Sequence, residues 1–248
     1  MNNQDRSAPS PVIEILYDDG PVLVVNKPSG LLTQAPAGID SLEVRIKGLY
    51  RRREGKPDDA NIYLGLPHRL DRPVSGAIVF ARHVRAAQRL SMQFENRTVS
   101  KSYWALVEGV VTPDEGTWTD YLHKRHGMAQ AEVVDASHPA AKHAVLHYRV
   151  LWQGATGTWL EIELETGRTH QIRVQAASRG HAVVGDSQYG SVLPFGDPEL
   201  ELRDRPIALH ARHLGFRHPM TSEEVEIVAP LPAHWDAFHL PAELLGDK

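Results

Sequence analysis

The amino-acid sequence predicts an α+β fold: one domain with a mixed, largely antiparallel sheet flanked by helices. Short apolar runs rich in β-branched residues outnumber segments with helical periodicity. Successive runs are often joined by short, turn-rich connections, which favours antiparallel pairing. No Pro/Gly/Ser-rich linker divides the 248 residues, and no repeat recurs at a fixed period. A single domain over 12–240 is expected, preceded by a disordered polar tail over 1–11.

Residues 12–28 read as a hairpin. Val12 to Tyr17 and Val22 to Asn26 are β-rich runs around the turn Asp18-Asp19-Gly20. Lys27-Pro28-Ser29-Gly30 breaks the second strand and leaves Lys27 at its edge. Residues 41–53 fit a helix with Leu42, Ile46 and Leu49 on one face, ending in Arg51-Arg52-Arg53. Ala77 to Ala81 is an apolar strand. Residues 83–97 fit a second helix carrying Ala86, Leu90 and Phe94. Val99 to Gly109 reads as a long strand. Residues 111–142 read as loop-like and His-rich, with a short strand over Trp118 to Tyr121. Lys142 to Gln153 and Thr158 to Glu165 are strands. Thr166-Gly167 turns into a helix that carries Arg168, His170 and Arg173 near its start, with Gly180 at its C-terminal cap. Val183 to Asp186 is a short strand and turn. Ala208 to Phe216 and Val225 to Pro230 are the last strands, and a helical tail follows Pro232.

Hydrophobic content of 42% and charged content of 23% are those of an ordinary globular protein. No apolar run is long enough to cross a bilayer, and the N-terminus lacks the apolar core of a signal peptide. A cytoplasmic monomer without membrane association is expected. The absence of cysteine excludes disulfides, thiolate nucleophiles and Cys-ligated zinc. Net charge is −4, yet Arg45 to Lys56 holds six basic residues and one acidic residue. Such a patch can grip phosphates or be a solvated face.

The chemistry concentrates in His68-Arg69-Leu70-Asp71-Arg72, directly ahead of the apolar run at Ala77. A charged loop seated on a sheet suits catalysis, although a surface turn with an Asp–Arg pair has the same composition. No Gly-rich phosphate loop, dinucleotide fingerprint or Gly-x-Ser-x-Gly elbow occurs. His123/His126, His143/His147 and His210/His213 have pairwise ligand spacing, but no His-Glu-x-x-His pattern accompanies them, and no metal is assigned. An Asp among guanidiniums stays ionised and can serve as nucleophile or base. Attack at a glycosidic carbon is one reaction open to it. The residues by themselves reach Asp-centred chemistry that needs no cofactor.

His68-Arg69-Leu70-Asp71-x-x-x-Ser75-Gly76 resembles the signature of the RluA-type RNA pseudouridine synthases. Further segments resemble that family in its order: Asn26-Lys27-Pro28-Ser29-Gly30, Lys101-x-Tyr103-x-Ala105-Leu106-Val107, Thr166-Gly167-Arg168-Thr169-His170-Gln171-Ile172-Arg173-Val174, Val184-Gly185-Asp186-x-x-Tyr189-Gly190, Leu209-His210-Ala211 and Phe216-x-His218-Pro219. The resemblance implies isomerisation of uridine in ribosomal or transfer RNA, with the base detached through N1 and rejoined through C5, without cofactor or metal. It implies that Asp71 is the catalytic aspartate, with Tyr103 against the uracil and Arg173 paired to Asp71. Arg69 would fill the gap left by the extruded nucleotide. His68, Lys27, Arg168 and His170 would also meet RNA, and Leu70 and Ile172 would wall the pocket. Arg51, Arg52 and Arg53 are the candidates for outer phosphate contacts. Val74 stands where that family usually has Thr, and no S4-type RNA-binding domain is expected ahead of the hairpin. The competing expectations are a catalytically silent RNA-binding module on the same fold and a metal-dependent hydrolase using the histidines.

Overall fold

A computed structural model describes residues 13–155, 157–238 and 241. The expected N-terminal tail lies outside the described residues. So does most of the segment after Phe238.

Among the described residues, ten strands form one sheet, in the order β1-β2-β3-β9-β4-β8-β7-β5-β6, with β10 beside β9. The strands are β1 (Glu14–Asp19), β2 (Val22–Lys27), β3 (Ser75–Ala81), β4 (Ser100–Val107), β5 (Glu115–Lys124), β6 (Ala131–Val134), β7 (Lys142–Gly154), β8 (Gly157–Leu164), β9 (Leu209–Arg217) and β10 (Glu224–Val228). All neighbours are antiparallel except β3 and β9. The mixed, largely antiparallel sheet expected from the sequence is present.

Among the described residues, three α-helices flank the sheet: α1 (Leu42–Arg53), α2 (Val84–Glu95) and α3 (Gln171–Ser178). Strand alternation explains how α1 and α2 take opposite faces. Leu23, Val25, Ile78 and Phe80 share a core with Leu42, Ile46 and Tyr50 of α1. Their neighbours Val22, Val24, Ala77 and Val79 pack with Ala86 and Leu90 of α2. The buried stripe of α1 thus runs through Tyr50 rather than the expected Leu49, following the four-residue spacing. Ser41 caps α1 by accepting from the Val44 N–H at 3.3 Å.

Two readings of the chain need correction. Residues 111–142 hold a ten-residue strand and a second short one, β5 and β6, instead of a loop with a brief strand. Within β5 only Trp118 and Leu122 are buried, so polar residues dominate its composition. Val183 makes an isolated bridge to Val107, and the chain then turns; no strand forms over Val183 to Asp186. The tail after Pro232 begins as a short 3-10 helix, Ala233–Phe238.

The centre of the sheet places the loop of interest. Ser75 and Gly76 of β3 pair in parallel with His210 and Ala211 of β9, and Ala211 pairs on its other edge with Tyr103 of β4. The register slips beside Tyr103, where Arg212 bulges out of the β4–β9 ladder. Bulges redirect neighbouring side chains and recur next to active sites. Gly76 has φ 118° and lies against the Ala211 backbone so closely that a Cβ would overlap it. His210 is fully buried. Its Nδ1 accepts from the Ser75 hydroxyl at 2.8 Å and its Nε2–H donates to the Ala229 carbonyl at 3.2 Å. Burial pulls its pKa down to about 3, against the opposing effect of the Ala229 bond.

Gly76→Ala is expected to cost about 3 kcal/mol or more of stability, since it adds overlap to an unfavourable backbone angle. Denaturant unfolding measures this, and a loss below about 1 kcal/mol would show that β9 can yield. For His210, the unfolded chain gains a proton below about pH 6.5 that the folded ring refuses until about pH 3. Its contribution is complete above pH 6.5 and falls by about 1.4 kcal/mol per pH unit as acidity increases. Urea unfolding at pH 7 and pH 5 is expected to narrow the stability gap between wild type and His210→Asn by about 2 kcal/mol. A gap that does not change would contradict a neutral buried ring.

Candidate active site

The loop from Leu66 to Val74 is fastened from beneath. Lys27 is fully buried, and its ammonium donates to the carbonyls of Pro28 at 2.8 Å, Arg72 at 3.2 Å and Val74 at 2.8 Å. Burial lowers its pKa to about 7, with Asp71 opposing the change. This corrects the expectation for Lys27: it holds the loop and cannot reach RNA. The Thr33 hydroxyl donates to the Leu70 carbonyl at 2.8 Å and accepts from the Leu70 N–H at 3.3 Å. Gly30 N–H donates to the Arg72 carbonyl, the Arg72 Nε donates back to the Gly30 carbonyl, and Arg72 pairs with Asp204. Val74 is buried in the main core, so its methyls need no hydroxyl partner.

Above this base opens a cavity of about 650 Å³ lined by the 68–74 loop, the end of α2, β4 and residues 164–173. That size suits a small ligand or one nucleotide. Asp71 presents a carboxylate with 36% of its side-chain surface exposed. Arg173 Nη1 lies 3.5 Å from its Oδ2 and His170 Nε2 lies 3.7 Å from the same oxygen.

Arg173 is itself held by a stronger partner. Its Nε donates to Asp186 Oδ2 at 2.6 Å, and its Nη2 donates to Asp186 Oδ1 at 2.9 Å and to Gln188 Oε1 at 2.7 Å. Both members of the pair are buried, with 3% and 2% exposure. Burial works against the guanidinium charge, but the Asp186 bonds and charge outweigh it and raise the Arg173 pKa. The guanidinium also lies over the Tyr189 ring, 4.9 Å from its centroid.

His170 adopts left-handed backbone at φ 53°, just ahead of α3. Its Nδ1 meets the Tyr189 hydroxyl at 2.8 Å, and that hydroxyl accepts from the Ala131 N–H. Burial lowers the His170 pKa. A neutral ring that accepts the Tyr189 proton at Nδ1 carries its own proton on Nε2, facing Asp71. The turn leading into α3 is knitted by Gln171. Its Oε1 accepts from the Thr166 hydroxyl and the Arg168 N–H, and its Nε2 donates to the Val145 carbonyl. Arg168 also donates through Nε to the His143 carbonyl at 2.8 Å.

Tyr103, Leu70 and Ile172 line the cavity with Asp71. The Tyr103 hydroxyl has no hydrogen-bond partner among the described residues. Burial, with the Asp71 charge second, raises its pKa, so it stays a phenol. His68 stacks on Phe94 at 4.5 Å and accepts from the Val79 N–H at 3.1 Å. Burial, and secondarily Lys101, pulls the His68 pKa to about 3. Arg69 is exposed at the rim and pairs with no carboxylate among the described residues.

The structure therefore gathers Asp71, Tyr103, Arg173, His68, Arg69, Arg168, His170, Leu70 and Ile172 around one cavity. It leaves Arg51, Arg52 and Arg53 outside it. Arg51 donates to the Ala60 carbonyl and Arg53 pairs with Asp18. Arg45 and Lys47 pair with Asp40 and Glu43 on the same helix surface, so much of that local charge is spent. Sequence reasoning gave no role to Asp186, Gln188, Tyr189, Thr33 or Lys101. Of these, Lys101, Asp186 and Tyr189 lie in segments that resemble the family. Among the described residues, no group of three His, Cys, Asp or Glu converges as a metal site, and no helix is long and apolar enough to cross a membrane.

Comparison with known proteins agrees with this geometry. Residues 21–178 match the family described as RNA pseudouridylate synthase. The ribosomal large subunit pseudouridine synthase D of Pseudomonas aeruginosa is 39% identical over 229 residues, which covers 89% of this chain and 68% of that protein. The synthase D of Vibrio cholerae is 38% identical over 228 residues, with 89% and 68% covered. Among solved structures, human RNA Pseudouridylate Synthase Domain Containing 4 superimposes with a TM-score of 0.70 at 25% identity, covering 90% of both chains. With its sheet, its ordered motifs and these relatives in agreement, the chain belongs to the RluA-type RNA pseudouridine synthases and is an RNA-modifying isomerase.

Proposed function

We propose that this enzyme isomerises particular uridines of ribosomal or transfer RNA by extruding the nucleotide into the cavity, where Asp71 starts the reaction. The observation that carries this reading is the Asp71 carboxylate at the cavity wall, with Arg173 Nη1 at 3.5 Å and His170 Nε2 at 3.7 Å on one oxygen. The guanidinium and the imidazole both face one carboxylate oxygen, beyond hydrogen-bond length, and the guanidinium opposes its negative charge. The second oxygen is left to act on the nucleotide, by attack on base or sugar or by proton abstraction from the sugar. A cavity of this size accepts a base and ribose only once they have left the stack, at a cost of a few kcal/mol. Arg69, exposed at the rim with no carboxylate partner among the described residues, has the planar guanidinium that can occupy the vacated position.

We assign Tyr103 to packing against the uracil and to donating a hydrogen bond from its unpartnered hydroxyl. Its raised pKa makes it a poor base by itself. A proton leaving C5 passes through this phenol only if the phenol's own proton moves to Asp71. His68 and Arg168 contribute contacts at the cavity wall, and the α1 arginines contribute at most peripheral phosphate contacts. The names of the Pseudomonas and Vibrio relatives favour ribosomal RNA as the first substrate to try.

Asp71→Asn keeps the side-chain volume and removes the carboxylate. Pseudouridine formation on unmodified large-subunit ribosomal RNA and transfer RNA transcripts is expected to fall by about 1000-fold or more, while RNA binding persists. Appreciable product from this variant would overturn the assignment of Asp71. Binding without product by the wild type would make the chain a silent RNA-binding module.

A further inference from the structure

The chemistry assigned above uses one end of the cavity. The other end contains a charged group that it leaves unexplained. Lys101 projects into the cavity from β4 on the same face as Tyr103, two residues away, a separation of about 7 Å along the strand. This is comparable to the span of one nucleotide from base to phosphate. The Lys101 ammonium has no hydrogen bond and no carboxylate partner among the described residues. The ammonium lies over the face of the Phe94 ring, 5.9 Å from the centroid, and its charge is felt by the neighbouring neutral His68. Burial alone lowers its pKa, with no nearby carboxylate opposing the change. Of the other cavity-lining cations, Arg173 is paired to Asp186 and Arg97 to Glu165 at 3.5 Å, Arg168 donates to the His143 carbonyl, and Arg69, which has no carboxylate partner among the described residues, is exposed at the rim where water solvates it. A half-buried ammonium without a counter-charge loses hydration and regains only the weak attraction of the Phe94 ring face unless a ligand supplies an anion.

We propose that Lys101 binds a backbone phosphate of the extruded nucleotide, setting how deeply the uracil enters beside Tyr103 and Asp71. The inference rests on the proposed reading that a uridine occupies this cavity. Carboxylate ligands are a poor fit to an RNA substrate, and a uracil carbonyl would need the ammonium at the Asp71 end. Phe94 shields the ammonium on its protein side and His68, stacked on Phe94, stays neutral, so neither competes for the phosphate.

The test compares wild type, Lys101→Met and Lys101→Arg on the transcript that the wild type modifies, large-subunit ribosomal or transfer RNA. Wild-type product on either establishes the underlying reading; its absence on both removes it. Given product, Lys101→Met is expected to raise KM by about tenfold, with the loss carried by KM rather than kcat. The log–log salt dependence of RNA binding should become shallower by about 0.7, the value for one phosphate contact on a single strand. Lys101→Arg should restore both. An unchanged KM and salt slope in Lys101→Met would overturn the proposal. A loss carried by kcat alone would also overturn it, by moving Lys101 onto the reacting base.

Discussion

The cation that faces Asp71 is held in place by a buried ion pair between Arg173 and Asp186. A guanidinium removed from water is costly unless its charge and its N–H groups are satisfied. Asp186 takes two of those donors in bidentate geometry, Gln188 shares one, and the Tyr189 ring covers the plane. What remains is Nη1, pointed at Asp71. The pair is net neutral and acts as a fixed dipole, with its positive Nη1 end facing Asp71. Fixed dipoles of this kind need no reorganisation during reaction. The sheet in turn fixes the pair. Val184 donates to the Leu106 carbonyl of β4 and accepts from the Ala208 N–H just ahead of β9, so the turn that carries Asp186 is tied to two central strands.

Asp71 itself arrives from the opposite side. Its loop is anchored by Lys27, Thr33, Gly30 and the Arg72–Asp204 pair, all independent of α3. The parallel contact of Gly76 with Ala211 sets where the loop begins relative to β9, and the Arg212 bulge sets Tyr103 against the same strand. The cavity lies between two separately braced parts of one sheet, which explains how an exposed carboxylate on a loop holds a defined place.

Much of this was legible in the sequence, and the reasons differ by residue. The hairpin, α1, α2, β4, β7 and β8 announce themselves through periodicity and turn residues, because each buries a whole face or stripe. The β5–β6 hairpin did not. Glu115 to Lys124 buries only Trp118 and Leu122, and charged or hydroxyl residues fill the exposed positions between them. The Asp71, Tyr103 and Arg173 grouping came from the family resemblance, since their spacings carry no periodic signal. Asp186 lies in a segment that resembles the family, but its role was not legible there, because that role comes from a partner 13 positions away. Lys27 read as an edge residue because a lysine after a strand ordinarily reaches solvent. Three carbonyls converging beneath the loop draw it inward, and such convergence is a property of tertiary structure alone.

The proposed role of the Arg173 guanidinium, locked by Asp186, is to make Asp71 competent. Arg173→Lys keeps the charge but cannot hold Asp186 in bidentate geometry and still present a donor to Asp71. The most direct measurement is the single-turnover rate of pseudouridine formation by this variant at saturating RNA. A fall of about 100-fold, with RNA affinity retained, is the predicted result. A rate equal to wild type would contradict this role, because Asp71 would then act without the fork that is held against it.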